Sequence, residues 1–127
     1  MTRGDAGRRA LGAEGEERAA ALLASRGWRV LARNARAGGV EIDLVALRGD
    51  LVAFVEVKTR RGRALGPPEL AVDARKRARL VRGAAAWLRE NRVGRGCRVR
   101  FDVIACEAGP AGRWSLRHLE GAFDAGD

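Results

Sequence analysis

The chain has 127 residues, which suits one domain and is too short for two. Apolar residues make up 46% of it, enough for a packed core, and we find no apolar run long enough to span a membrane. The formal net charge of +9 argues against a cationic partner and favours a polyanion.

Basic residues are concentrated in one part of the chain. Between Lys58 and Arg100 there are fourteen basic residues and three acidic ones. This block favours binding to nucleic acid, although a solvated helix face in an arginine-rich protein would look the same. Twenty-three of the twenty-five basic residues are arginine, so Lys58 and Lys76 are candidates for sites that need a compact ammonium group.

The remaining composition favours a cytoplasmic protein. Cys97 and Cys106 lack metal-ligand spacing, and we expect both to be reduced thiols. The first residues are polar and do not resemble a secretory signal. We predict a flexible segment over residues 1–11, a single domain over 12–123 and a short tail over 124–127.

The first half of the chain predicts a helix and three strands. A helical period over 12–26 ends at Gly27, which suits a left-handed helix stop. A strand over 28–34 and a loop over 36–39 follow. Residues 41–48 and 51–60 are rich in Val, Leu, Ile and Phe around the pair Gly49-Asp50, which predicts a β-hairpin.

The second half predicts a long helix between strands. A basic loop over 61–68 ends in two prolines, and a helix over 69–91 follows, ended by Gly94 and Gly96. Two short strands over 99–106 and 114–119 complete the order α-β-β-β-α-β-β, which favours a mixed sheet covered by helices. The predicted buried stripe of the long helix comprises Leu70, Ala74, Val81, Ala84, Ala85 and Leu88.

The hairpin brings charged side chains together. Alternation along the second strand puts Glu56 and Lys58 on the face that carries Phe54. If Gly49 and Asp50 form the turn, Asp43 lies opposite Glu56, and Glu41 lies opposite Lys58. Two carboxylates about 5 Å apart repel each other, so we expect a cation between them, and Mg²⁺ suits one or two carboxylates with waters and phosphate oxygens.

This geometry has two interpretations. A metal held by Asp43 and Glu56, with Lys58 positioning the attacking water, would hydrolyse a phosphodiester. Alternatively, the three residues form a salt-bridge ladder on the solvated side of a sheet, as exposed antiparallel strands often do. A register slip of one residue would also move Asp43 to the other face.

Ordered motifs along the chain resemble those of a known family. Asp43 followed by Glu56-Val57-Lys58 resembles the D…(D/E)-X-K signature of restriction-endonuclease-like nucleases, and the whole series resembles the YraN family of small bacterial endonuclease-like proteins. The motifs that carry the resemblance are Gly15-Glu16, Ala32-Arg33-Asn34, Glu41-Ile42-Asp43-Leu44-Val45, Phe54-Val55-Glu56-Val57-Lys58-Thr59-Arg60, Ala71-Val72, Lys76, Arg100-Phe101-Asp102-Val103 and Ala122-Phe123.

The resemblance implies a restriction-endonuclease-like α/β fold, with a mixed central β-sheet flanked by helices, and a nuclease site that uses Mg²⁺ or Mn²⁺. Asp43 and Glu56 would be metal ligands, joined by the backbone carbonyl of Val57 and by Glu16, and Lys58 would be the catalytic lysine. Lys76 would face the site or a backbone phosphate.

Further expectations concern the substrate. Arginines on the loop after the catalytic strand are candidate phosphate contacts, which position a substrate without reading its sequence; they are Arg60, Arg61 and Arg63. We expect an endonuclease acting on nucleic acid, with DNA preferred and branched or damaged DNA as candidate forms. The alternative is a non-catalytic nucleic-acid-binding module on the same fold. Relatives that cut junctions are often dimers, so a homodimer is compatible with this interpretation.

Three tryptophans and one histidine carry structural expectations. We expect Trp28, Trp87 and Trp114 to be core or half-buried residues, with none in a stacking platform for single strands. His118 stands beside Leu119 and is expected to be structural rather than catalytic.

Overall fold

The computed structural model describes residues 3–62, 72–93 and 96–125, with side chains from residue 7 onward. One five-stranded sheet lies between two helices, with its strands in chain order across the sheet. The parallel pair β3–β4 is joined through α2, and the other neighbouring strands are antiparallel. The elements are α1 (Arg3–Ser25), β1 (Arg29–Ala37), β2 (Val40–Arg48), β3 (Leu51–Arg61), α2 (Ala74–Asn91), β4 (Arg98–Ala108) and β5 (Trp114–Phe123). The predicted fold class, a mixed sheet flanked by helices in the order α-β-β-β-α-β-β, is confirmed.

Each face of the sheet packs against one helix. The α1 face buries an apolar cluster that includes Leu23, Leu44, Val55 and Ile104. The α2 face buries a second cluster, in which the ring of Phe54 meets Trp87 edge-on and contacts Phe101. Burial on both faces explains why the first half of β3, from Leu51 to Val55, is entirely apolar, and it makes the charged Glu56 that follows conspicuous.

Helix α1 packs unusually close to the sheet. A Cβ atom on Gly15 would collide with the side chain of Thr59 on β3, and the Cys106 thiol lies 3.6 Å from the Gly15 carbonyl oxygen. The helix ends as predicted at Gly27, whose φ of 86° requires glycine. It begins at Arg3, well before the predicted start at residue 12. Among the described residues, no helix is long and apolar enough to cross a membrane.

Helix α2 begins later than predicted. Asp73 has an extended backbone and caps the helix by accepting a hydrogen bond from the Lys76 backbone N–H at 2.9 Å, so Asp73 precedes the helix. Residues 63–71, including Leu70 of the predicted stripe, lie outside the described residues.

The buried stripe of α2 also differs from the prediction. Ala84 is buried as predicted, and Val81 and Leu88 are partly buried against the core, but Ala74 and Ala85 are exposed. The correct stripe is shifted by one residue so that Trp87 enters the core, because a large aromatic ring gains more from burial than alanine does. Its buried members are Leu80, Gly83, Ala84, Ala86 and Trp87.

The hairpin register agrees with the predicted one. Arg48 pairs with Leu51 across the turn, and the pairing continues to Leu44 opposite Val55. Gly49 has a φ of 61°, which fits a tight two-residue hairpin turn. The pairing ends at Leu44 and Val55, and Asp43, the next residue of β2, contacts β3 through its side chain.

Candidate metal and nucleic-acid site

The site lies where β2 and β3 part from each other. Beyond the pair Leu44–Val55, the Asp43 carboxylate accepts a hydrogen bond from the Val57 backbone N–H at 2.8 Å. In an extended strand the N–H and C=O of one residue point to the same neighbour. The Val57 carbonyl oxygen is therefore directed toward the Asp43 side of β3, where the sequence analysis expected a ligand.

Glu56 is a buried carboxylate held between two lysines. It is only 4% exposed, and its Oε1 atom lies 3.1 Å from Lys76 Nζ and 3.6 Å from Lys58 Nζ. A buried charge needs such partners, since its desolvation would otherwise be uncompensated. The interpretation as a solvated salt-bridge ladder is therefore wrong for Glu56, which α2 and the sheet cover.

Asp43 is electrostatically strained in this setting. Burial raises the pKa of its carboxyl to about 7, with the Glu56 carboxylate as the second cause; the Val57 N–H and the Lys76 ammonium act in the opposite direction. Asp43 and Glu56 thus repel each other across a short distance. A group with this pKa would exchange its proton for a cation at neutral pH.

Glu16 approaches the same acids from α1. Burial raises its pKa, as do the carboxylates of Glu41 and Glu56, while a hydrogen bond with the Asn34 side chain opposes the shift. Asn34 has a φ of 49°, a left-handed conformation that asparagine tolerates. The resemblance pointed to Glu16, but the role of Asn34 in holding it was missed.

The acids do not form a closed cage. Within the described part of the chain, no group of three or more His, Cys, Asp or Glu side chains is arranged to hold a metal ion. Asp43 and Glu56 supply two neighbouring carboxylates, the number that a Mg²⁺ site with water ligands needs. Glu41, expected opposite Lys58, instead lies 4.0 Å from Arg36.

The predicted nucleic-acid contacts divide into three cases. Lys76, a candidate phosphate contact, is the shorter ion-pair partner of Glu56. Arg60 and Arg61 end β3, the first half-buried and the second exposed. Arg63 lies outside the described residues.

A second buried carboxylate, Asp102, was not predicted. Asp102 is fully buried on the α1 face and contacts Arg100, the Gly121 N–H and His118. The signal was available, because Asp102 interrupts an apolar strand as Glu56 does. His118, expected to be structural, has its side chain buried against Asp102 at 2.7 Å.

Comparison with known proteins identifies relatives along most of the chain. The model of a family described as "Uncharacterised protein family UPF0102" matches residues 15–106. A UPF0102 protein of Trichlorobacter lovleyi is 45% identical over 93% of this chain and 93% of the relative. One from Symbiobacterium thermophilum is 47% identical over 92% of this chain and 98% of the relative.

One solved structure shows a distant likeness. It is titled "The structure of Pyrococcus Furiosus SfsA in complex with Ca2+", with 12% identity and a TM-score of 0.37, over 83% of this chain and 58% of the other. At this level the likeness bears on neither the fold nor the function of this chain.

Proposed function

The chain belongs to the UPF0102 (YraN) family, as its motifs predicted, and from its own side chains we propose that it is a metal-dependent nuclease that hydrolyses phosphodiester bonds in DNA. Asp43 and Glu56 are the proposed metal ligands, and Lys58 is the proposed catalytic lysine. The observation that carries the proposal is a buried Glu56 carboxylate, held by two lysine ammonium groups, beside Asp43, whose pKa burial and Glu56 raise to about 7.

The donor atoms fit Mg²⁺ or Mn²⁺. Asp43, Glu56 and the Val57 carbonyl offer oxygen atoms only, which is the donor set that hard divalent cations prefer. A cation between Asp43 and Glu56 would turn their repulsion into attraction. Glu16 stands on α1 as an outer acid that adds negative charge near Asp43.

Each side chain has a distinct task in the proposed reaction. When bound, the divalent cation supplies Lewis-acid activation of water and neutralises phosphate charge. Lys58 presents its ammonium group at the Glu56 carboxylate, from where it donates hydrogen bonds to the attacking water and to the phosphate oxygens. Lys76 adds a second positive charge that favours the pentavalent phosphate of the transition state.

A nucleic-acid backbone is the proposed substrate because basic residues follow Glu56 and Lys58 on β3 and line the exposed side of α2. Arg60 and Arg61 continue β3 beyond Lys58, and the outer side of α2 is lined with exposed arginines. Contacts of this kind hold a phosphate backbone without reading bases. The exposed arginines of α2 are Arg75, Arg79, Arg82 and Arg89.

A cleavage assay tests the proposal. The protein is incubated with supercoiled, single-stranded and four-way-junction DNA in the presence of Mg²⁺, Mn²⁺ or EDTA. Asp43→Asn, Glu56→Gln and Lys58→Ala are expected to lower the cleavage rate at least about a hundredfold, as loss of a charge-stabilising group typically does. Asp50→Asn is the matched control, because Asp50 lies at the exposed turn of the same hairpin, paired with Arg98.

Two results would overturn the nuclease proposal. Cleavage that persists in Asp43→Asn and Glu56→Gln would come from another site or another protein. Salt-sensitive DNA binding without cleavage under any metal condition would assign the chain to the alternative, a non-catalytic binding module. The ion pairs from Lys58 and Lys76 to Glu56 favour that alternative, since they satisfy the buried carboxylate without a metal.

A further inference from the structure

We propose that a pocket between α1 and the β4–β5 turn binds one unpaired nucleotide of the DNA substrate, about one helix width from the proposed cleavage site. This inference rests on the proposed nuclease function and specifies its substrate as DNA with a single-stranded segment. The pocket has a volume of about 410 Å³, within the range of small-molecule sites. It is lined by Leu11, Glu14, Arg18, Arg61, Trp114 and the turn from Ala108 to Gly112.

Trp114 is the aromatic surface of the pocket. It is half-buried, whereas Trp28 and Trp87 are only 3% and 5% exposed. The Arg18 guanidinium lies over the Trp114 ring at 4.9 Å from its centroid, so a base stacks on this ring face by displacing Arg18 toward the nucleotide's phosphate.

The charged residues of the pocket match the remaining parts of a nucleotide. Arg18 and Arg61 offer guanidinium groups suited to a phosphate. Glu14, whose carboxylate lies 3.0 Å from Arg18, can accept a hydrogen bond from the exocyclic amine of cytosine. An aromatic face, an acceptor for a base edge and two phosphate donors together favour a nucleotide over a simple anion.

The pocket and the carboxylate site lie on opposite sides of α1. Glu14 lines the pocket, while Glu16, two residues later, approaches Asp43 and Glu56. Two residues correspond to about 200° of helix rotation, so the separation is about one helix width, ~10–12 Å. A base within a duplex cannot turn its face to Trp114, so the bound nucleotide must be unpaired.

Tryptophan fluorescence provides a direct test in EDTA, where metal-dependent cleavage is prevented. The protein is titrated with an eight-nucleotide oligo(dC) strand and with a blunt eight-base-pair duplex. The single strand is expected to change the emission and to bind more tightly than the duplex. Trp114→Phe should keep most of the affinity and lose the emission change, and Trp114→Ala should raise the Kd about tenfold.

Arg18→Gln provides a second variant at an exposed position. It is expected to raise the Kd for the strand and to lower the slope of log Kd against log salt by about one. Arg113→Gln is its matched control, because Arg113 is an exposed arginine beside the same turn that does not line the pocket. Equal effects of Arg18→Gln and Arg113→Gln, or wild-type binding by Trp114→Ala, would overturn the proposal.

The two proposals fail in different ways. If the nuclease proposal is wrong and the pocket is right, oligo(dC) binds through Trp114 but no metal condition yields cleavage. If the pocket proposal is wrong and the nuclease is real, Trp114→Ala cuts single-stranded and junction DNA as wild type does. Asp43→Asn separates them again, because it should abolish cleavage while leaving the fluorescence titration unchanged.

Discussion

The Asp43 carboxylate accepts a hydrogen bond from the Val57 backbone N–H at 2.8 Å, beyond the last paired residues of the two strands. A side chain here occupies a position that a strand backbone would otherwise take. The bond fixes Asp43 beside Glu56, and it leaves the Val57 carbonyl directed to the same side. The cost is a carboxylate held close to another carboxylate in a partly buried place.

We expect Asp43→Asn to stabilise the metal-free protein at neutral and higher pH. Burial and Glu56 raise the pKa of Asp43 to about 7, so between about pH 4 and pH 7 the folded state binds more protons than the unfolded state. Stability therefore falls as pH rises through this window, and asparagine removes that loss while keeping an oxygen that can accept the Val57 N–H. Urea unfolding in EDTA should show a gain of ~1–3 kcal/mol at pH 8 that disappears near pH 4.

Asp50→Asn is the control, because its effect on stability is expected to have the opposite sign. Hydrogen bonding with Arg98 lowers the pKa of Asp50, so its replacement should remove stability above the ordinary aspartate pKa rather than add it. A neutral or destabilising effect of Asp43→Asn at pH 8 would contradict the electrostatic strain assigned to Asp43.

We expect Lys76 to matter more than its arginine-rich surroundings indicate. Lys76→Ala removes the closer partner of buried Glu56, but Lys58 remains at 3.6 Å. Because Lys76 is also 39% exposed, the free energy of unfolding should fall by only about 1 kcal/mol. Cleavage should fall at least about tenfold if Lys76 supports the proposed reaction. Urea unfolding and cleavage assays measure the two effects.

Arg79→Ala is the matched variant, one turn along α2 at an exposed position. It should leave stability within ~0.5 kcal/mol of wild type. If the Lys76 and Arg79 variants have the same stability and cleavage rate, Lys76 is a solvent-exposed helix cation with no role in the site.

The hairpin could be predicted from sequence because its rules are local. A two-residue turn fixes the register, so the pairing from Arg48–Leu51 to Leu44–Val55 followed from counting. The location of Lys76 could not be obtained this way. Its approach to Glu56 depends on how α2 docks against the sheet, which is a tertiary property.

Helix α2 shows the limit of periodicity as a guide. Its alanines and arginines permit more than one apolar stripe, and the prediction selected one that omitted Trp87. The packing of Trp87 against Phe54 decides the rotation of the helix, and this contact joins residues far apart in sequence. The burial of Asp102 could have been inferred from its place in an apolar strand, but its partner His118 could not, because it comes from another strand.

We expect Gly15 to be indispensable for the position of Glu16. A Cβ atom at Gly15 would collide with the Thr59 side chain, so Gly15→Ala should push α1 away from β3 and cost ~1–3 kcal/mol, despite the better helix propensity of alanine. Gly12→Ala is the matched control, because a Cβ atom at Gly12 meets nothing within 4 Å.

Comparing Gly15→Ala with Gly12→Ala therefore separates the effect of packing on stability from the effect of helix propensity. Gly12→Ala should be neutral or stabilise the protein by ~0.5–1 kcal/mol in urea unfolding, as glycine-to-alanine changes in helices do. Adding Thr59→Ala to Gly15→Ala should restore part of the lost stability and of the cleavage rate. A stabilising Gly15→Ala would show that α1 does not need this close approach.

We expect Asp102→Asn to destabilise the fold by ~3 kcal/mol or more at pH 7, because it breaks a buried ionic network. Burial acts to raise the pKa of Asp102, but hydrogen bonds from His118, Arg100 and the Gly121 N–H outweigh burial and hold the pKa below its ordinary value. Its stabilising contribution is therefore complete above the pKa of the unfolded state, about 4, and is lost as pH falls through the folded-state pKa. Urea unfolding should show a deficit that shrinks below pH 4. Glu120→Gln is the control, because it alters only the exposed neighbour of Arg100 at 3.9 Å, and its free energy of unfolding should remain near that of wild type. A loss of stability in Asp102→Asn that does not change with pH would rule out this electrostatic role.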